Sequence, residues 1–308
     1  MNNLPKLDES INRFDRTAES CSTAASDAVA SQTPTRRMLA LGGRSRMALS
    51  SSAAAPNSLH ILAAQLTLLV ILIGLWEYAV SHASLSAFLF GTPSAIWGHF
   101  VKMALDGSLA NDLLITSIET ILGFVLGNLI GTVIGLALWY SRFFSLVLQP
   151  FIVALGSIPI VALAPIVIIW FGTGLISKVA MSTLSVVVVA LVIAYKGAMS
   201  VDSDQINLLR TLGASKWQIF RKLVVPSSLG DIFAGLKLTI GFALIGAIVG
   251  EFMSSSEGLG HAIFKAGSLY IISKVFAALI ATIVLALSLT ALVGRMERKL
   301  MPWKKLQN

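Results

Sequence analysis

A chain of 308 residues that is 56% hydrophobic and only 12% charged, with a mean hydropathy of +0.82, lies far outside the usage of soluble domains and reads as an integral membrane protein. The formal charge of +8 excludes little by itself, because in a membrane protein the positions of the basic residues matter more than their sum. A lone Cys21 excludes an internal disulfide and any cysteine-built metal site.

Residues 1–58 are rich in Ser, Ala and Thr, lack an apolar run long enough to span, and carry Arg36, Arg37, Arg44 and Arg46. They read as a disordered cytoplasmic tail. A twin-arginine signal at Thr35-Arg36-Arg37 and an organellar transit peptide over 28–59 are the alternatives; against them stand the missing apolar core after the arginine pair and the five acids before Ala28.

Apolar blocks long enough for about 20 helical residues, the length that crosses the hydrocarbon layer, follow at 61–80, 115–139, 146–170, 179–195, 232–250 and 275–293. The predicted fold is therefore all-α and polytopic, with six transmembrane helices in a domain over 59–300 and a short cytoplasmic tail over 301–308. With the N-terminus inside, eighteen Lys and Arg fall on the inner side, and only Lys102, Lys178, Lys265 and Lys274 on the outer side. That asymmetry directs both termini and the 196–231 loop to the cytoplasm. Lys237, about a turn into the fifth span, snorkels to the inner interface on this reading.

The second span carries Gly123, Gly127, Gly131 and Gly135, one every four residues, so a flat groove runs along the helix where another backbone should lie. Static packing and a close-packed core that moves as a unit are both open readings. Pro150, Pro159 and Pro165 punctuate the third span, each removing a backbone donor and kinking or breaking the helix. Broken helices line cavities in transporters, which makes Pro159 and Pro165 candidates for the translocation pathway, set against packing-only kinks.

Ionisable residues at membrane depth are costly, and Glu77, Glu119 and Glu251 are the candidates here. Glu77 and Glu119 read as hydrated carboxylates at the outer headgroup level. Glu251 follows Gly246 and Gly250 and adjoins Gly258, Leu259 and Gly260, so it joins the pathway candidates, with a structural role at a turn as its alternative. His60, His82, His99 and His261 form no i, i+4 pair, no nucleophile and base stand together, and GxxxxGK[ST] is missing. No catalytic residue, metal ligand or bound cofactor is expected.

Between the fourth and fifth spans lies a polar, basic island over 201–226, VDSDQINLLRTLGASKWQIFRKLVVP. Asp202 with Gln205, and Ser215 with Gln218, each set a cap residue three positions before a side chain that reaches back, so two short helices are predicted. Gly213 lies where the first ends, in a left-handed conformation open to glycine, and Pro226 should stop the second. Ile206, Leu209 and Leu212 share one face of the first helix; Trp217, Phe220 and Val224 share one face of the second; Arg210, Lys216, Arg221 and Lys222 lie largely outside both. A helix-glycine-helix hairpin of this kind has something to dock against.

The same residues resemble the cytoplasmic coupling loop of ABC importer permeases, an EAA triplet, three residues, Gly, nine residues and Ile-x-Leu-Pro. Gly213, Leu223, Val225 and Pro226 fit, while the acidic-Ala-Ala positions fall on Asn207, Leu208 and Leu209. Within the family the chain looks most like the permeases of aliphatic-sulfonate, taurine and nitrate importers, through LGAS-x-W-Q at 212–218, AGLKL at 234–238 and GLG at 258–260. SIPIVALAP…WFGTG is similar to the family's third span, and the resemblance runs from about Leu75 to Trp303.

The resemblance implies a permease subunit forming the transmembrane pathway for a small anionic solute such as sulfonate, taurine or nitrate, as a homodimer in the bacterial inner membrane. It implies that Leu209, Leu212, Gly213, Ser215, Trp217, Phe220 and Pro226 serve coupling to cytoplasmic ATPase subunits. Those subunits bind ATP and Mg, so this chain is a transport subunit and not an enzyme, and a periplasmic or lipid-anchored binding protein delivers the solute. Similar permeases carry pyrimidine vitamin precursors, riboflavin or aromatic acids, so the solute itself stays open. A secondary transporter or channel for a small solute is the alternative from another class. Against it, no span has an acidic residue near its middle and no repeat relates the first three spans to the last three.

Overall fold

The computed structural model describes residues 58–82 and 86–300; the tails expected before Ser58 and over 301–308 lie outside the described residues. In chain order the elements are α1 (Ser58–Ser81), α2 (Ala87–Phe90), α3 (Pro93–Leu105), α4 (Ser108–Tyr140), α5 (Arg142–Ser157), α6 (Ile160–Phe171), α7 (Leu175–Met199), α8 (Ser203–Thr211), α9 (Lys216–Ile219), a π turn (Phe220–Val224), α10 (Val225–Ser254), α11 (Leu259–Ser268) and α12 (Ile272–Leu300). The architecture is all-α, as the apolar blocks predict. Among the described residues five helices are long and apolar enough to cross a membrane, and α5 with α6 makes a sixth if the bent pair is one span.

That bend is 95°. Pro159 accounts for it: the residue sits in extended backbone as the N-cap of α6 and has no N–H with which to prolong α5. Pro150 and Pro165, by contrast, lie inside α5 and α6 without ending them.

Helix α7 is the centre of the bundle, packed between α4 and α10. Its neighbours present glycines. A Cβ placed on Gly127 would come 2.5 Å from that of Val186, and one on Gly131 would come 2.8 Å from that of Ala190 and 2.9 Å from the Leu191 nitrogen. On the other side, a Cβ on Gly246 would meet the Ser182 Cα at 2.7 Å. Lipid tails are as apolar as leucine, so helices in a bilayer are held by close packing and polar ties rather than by expulsion of water. Two such ties cross the centre: Ser182 Oγ donates to the Ala243 carbonyl at 2.9 Å, and Thr239 Oγ1 donates to Asn128 Oδ1 at 3.0 Å.

A second core joins α3, α4, α10, α11 and α12 through Ile96, Leu109, Leu244, Leu259, Ala278 and Leu285. Lys237 of α10 pairs with Glu297 of α12, so its charge, expected to snorkel, is met within the protein. Helix α1 stands apart. Among the described residues its contacts lie near its end, where Trp76 meets the Phe276 ring edge-on at 5.4 Å and Glu77 accepts from the Ser94 N–H and hydroxyl at 3.0 and 2.9 Å. Glu77 thus helps to cap α3, a role its sequence position does not reveal.

Candidate functional site

The hairpin forms largely as its caps dictate. Ser215 and Gln218 make the reciprocal pair, with Gln218 Oε1 accepting from the Ser215 N–H at 2.8 Å and Ser215 Oγ accepting from the Gln218 N–H at 3.3 Å. Asp202 caps α8 differently from the expectation, accepting from the Asp204 N–H at 2.9 Å, with no reciprocal Gln205 contact among the hydrogen bonds of the described residues. Gly213 has φ +79, and around it the Ala214 N–H donates to the Leu209 carbonyl and the Gly213 N–H to that of Arg210, each at 2.9 Å. This is the glycine-closed helix end that reverses the chain.

Two expectations about the second helix are corrected. Pro226 does not stop it: the chain passes through the π turn, where the Val225 N–H bonds the Phe220 carbonyl, and runs on into α10 with Pro226 in its first turn, directly after that wider turn. Nor does Phe220 point away from the bundle. Its ring stacks on Trp139 of α4 and on Trp217, both at 5.6 Å, while Lys216 lies 4.8 Å over the Tyr140 ring. Ile206, Leu209 and Phe220 pack around buried Ala198, Ile219 and Val224 and anchor the hairpin to the ends of α4 and α7. Left facing outward are Leu208, Leu212 and Trp217, at 61%, 73% and 57% exposure. Leu208 is missed by the stripe reading, whose residues divide between those that anchor, Ile206, Leu209, Phe220 and Val224, and those that face outward, Leu212 and Trp217.

A second polar cluster lies at the opposite end of α10. Glu251 is buried, and its two oxygens are both engaged: Oε1 accepts from Thr116 Oγ1 at 2.6 Å, and Oε2 from the Gly260 N–H at 2.5 Å. Thr116 Oγ1 accepts in turn from the Leu259 N–H, and Asp112 Oδ1 from the Gly258 N–H, each at 2.9 Å. Glu119 is buried as well and its carboxyl contacts that of Glu251, which overturns the expectation of a hydrated group at the headgroup level. Lys178, also buried, donates to the Thr173 carbonyl at 2.7 Å. In the turn before α4, Asp106 accepts from the Ser108 N–H and hydroxyl, which holds its carboxyl below the usual carboxylate range and fixes the start of the helix that carries Asp112 and Thr116.

The three pathway candidates differ in their surroundings. Pro159 and Pro165 sit on exposed faces of the broken pair, whereas Glu251 is 1% exposed. Asp112 and Thr116 are not legible as site residues one at a time. Their spacing with Glu119 and Gly123, at i, i+4, i+7 and i+11, is the signal that finds them: a single polar stripe in an apolar helix.

Fold and site together define an integral membrane permease. The chain belongs to the family described as "Binding-protein-dependent transport system inner membrane component", which matches residues 127–302. It is 34% identical to the riboflavin transport system permease protein RibX of Chloroflexus aurantiacus, over 77% of this chain and 88% of that one. It is 31% identical to the putative aliphatic sulfonates transport permease protein SsuC of Bacillus subtilis, over 78% and 87%. A chain of the MetNI methionine ABC transporter, solved in an inward facing conformation, has the same fold at a TM-score of 0.57 and 18% identity, over 64% of this chain and 97% of that one.

Proposed function

We propose that this chain forms the transmembrane pathway of an ATP-driven importer and that its hairpin seats cytoplasmic ATPase subunits. The observation that carries the reading is the outward set Leu208, Leu212 and Trp217, large apolar side chains displayed on an otherwise polar, basic loop and clamped at a fixed angle by Gly213 and the Ser215 cap. Exposed apolar groups on a rigid polar element favour a protein partner. ATP and Mg belong to that partner. Both termini and the hairpin face the cytoplasm, two copies of the chain enclose the pathway in the bacterial inner membrane, and a periplasmic or lipid-anchored binding protein delivers the solute.

The solute is small and anionic, of the sulfonate, taurine or nitrate kind, a reading supported by the likeness to SsuC and by the taurine transport system permease protein TauC of Escherichia coli, 28% identical over 51% of this chain and 57% of that one. A flat-ringed solute is the second reading. It is favoured by the likeness to RibX, and a cavity of about 380 Å³ lies beside the bend at Pro159, walled by Leu155, Ile158, Ile160, Leu163, Phe242 and Ile245. Competition of a sulfonate against riboflavin for uptake into proteoliposomes separates the two.

Labelling of Ser215→Cys in a Cys21→Ser background, in intact cells and in inverted vesicles, tests the orientation. Reaction is expected only from the cytoplasmic side, together with an ATPase that co-purifies with the detergent-extracted protein. Labelling of Ser215→Cys from the outside alone would remove the hairpin from any ATPase and end this reading.

A further inference from the structure

Helix α9, the π turn and α10 form one continuous run, Lys216–Ser254, of 39 residues. At 1.5 Å per residue that is about 58 Å, longer than the roughly 40 to 45 Å depth of a bilayer with its headgroups. The hairpin sits at one end of this rod and Glu251 at the other. Glu251 is closed off from any solute, since both its oxygens are taken and its side chain is buried. Its bonds are those of a helix cap supplied from elsewhere in the fold: the N–H groups of Gly258, Leu259 and Gly260, at the start of α11, go to Asp112, Thr116 and Glu251.

The backbone is shaped around this carboxylate. A Cβ on Gly258 would lie 2.5 Å from Glu251 Cδ, and one on Gly260 would lie 2.7 Å from Glu251 Oε2. Thr116 stands at the junction because a hydroxyl donates one bond and accepts another, here to Glu251 and from Leu259. Valine has the same shape and does neither.

Resting on the importer reading above, we propose that Thr116 of α4 and Glu251 of α10 are positioning residues that latch the start of α11 to both helices, so that a displacement of the hairpin carried along the rod relative to α4 reaches α11. A buried hydrogen-bonded network suits this task better than apolar contact. Each of these directional bonds is either made or leaves a buried donor unpaired. Helix α11 in turn packs Leu259 and Ala262 against Ala277 and Ala278 of α12, so what moves α11 moves a second span.

The test uses the complete transporter, permease with its co-purified ATPase and binding protein, in proteoliposomes. Thr116→Val is expected to lower uptake and binding-protein-stimulated ATP hydrolysis by about tenfold or more, the scale of a typical coupling between sites, while basal hydrolysis and yield of the complex stay within about twofold. Thr116→Ser, which keeps the hydroxyl, should restore both. A spin label at Ser268→Cys, on the exposed end of α11, should gain mobility in Thr116→Val and not in Thr116→Ser. Full uptake in Thr116→Val overturns the latch. So does a parallel fall of yield, basal hydrolysis and uptake, which marks a brace for folding alone, and so does a Thr116→Ser that behaves like valine. If no ATPase accompanies the wild-type protein, the importer reading fails, and the label at position 268 still reads whether Thr116 holds α11.

Discussion

Gly213→Val is expected to cut ATP-driven uptake by roughly five- to thirtyfold, with the amount of protein in the membrane unchanged. Beyond Gly213 and its two chain neighbours no atom lies within 4 Å of the place a Cβ would occupy, so crowding by the rest of the fold has no part in the effect. The cost arises in the backbone, where φ of +79 sets a Cβ against the carbonyl oxygen at about 1 to 2 kcal/mol, with a β-branched side chain at the upper end. Relaxing that strain breaks the two bonds from Gly213 and Ala214 that set the angle between α8 and α9. Leu208 and Leu212 would then no longer lie in fixed register with Trp217. The spans satisfy their own backbone groups and do not depend on the loop, which is why insertion survives. The graded series is the check: Asn, which tolerates left-handed geometry, should stay nearest to wild type, Ala should be intermediate, and Val the most impaired, in uptake measured beside ATPase co-purification. A Gly213→Val protein with full transport and full ATPase binding would reduce the hairpin to a connector.

Gly131→Val should do the opposite, removing the protein rather than its coupling. The added carbons would press on the Val187 carbonyl, the Leu191 nitrogen and the Ala190 Cβ, and backbone atoms within a packed helix have nowhere to go. Overpacking of that kind costs about 3 kcal/mol or more, a large share of a total stability of about 5 to 15 kcal/mol. Loss of the monodisperse peak on size exclusion and a sharp fall in melting temperature are the expected results. Gly98→Ala supplies the contrast. Gly98 lies on the exposed side of α3 with nothing within 4 Å of its missing Cβ, so the change should be neutral or stabilise by about 0.5 to 1 kcal/mol. Equal behaviour of the two variants would mean that α4 and α7 do not meet along this groove.

Much of this architecture is legible in the sequence because it rests on local rules. The Ser215 and Gln218 pair, the left-handed Gly213, the glycine every fourth residue on α4 and the break at Pro159 each depend on backbone chemistry within a few residues. What escapes the sequence depends on partners far along the chain. Glu119 reads as a surface acid from its distance to the end of the span, yet α10 covers it with Glu251, more than a hundred residues away. Phe220 belongs to an amphipathic stripe whichever way that stripe turns, and only the stacking on Trp139 turns it inward. Pro226 stops a helix by rule, but the wider π turn before it absorbs the lost donor and lets the rod continue.

During synthesis, α1 leaves the ribosome before any helix that it will touch. None of its most apolar stretch is buried against the rest of the chain, and its few contacts, through Trp76, Glu77 and Val80, wait for α3 and α12 to be made. It must therefore settle in the bilayer on hydropathy alone, under the pull of the basic residues ahead of it. Short connections then oblige each later span to alternate from that first crossing. On the proposed orientation, the direction in which the finished machine faces is thus set early, by a helix that does little to hold it together.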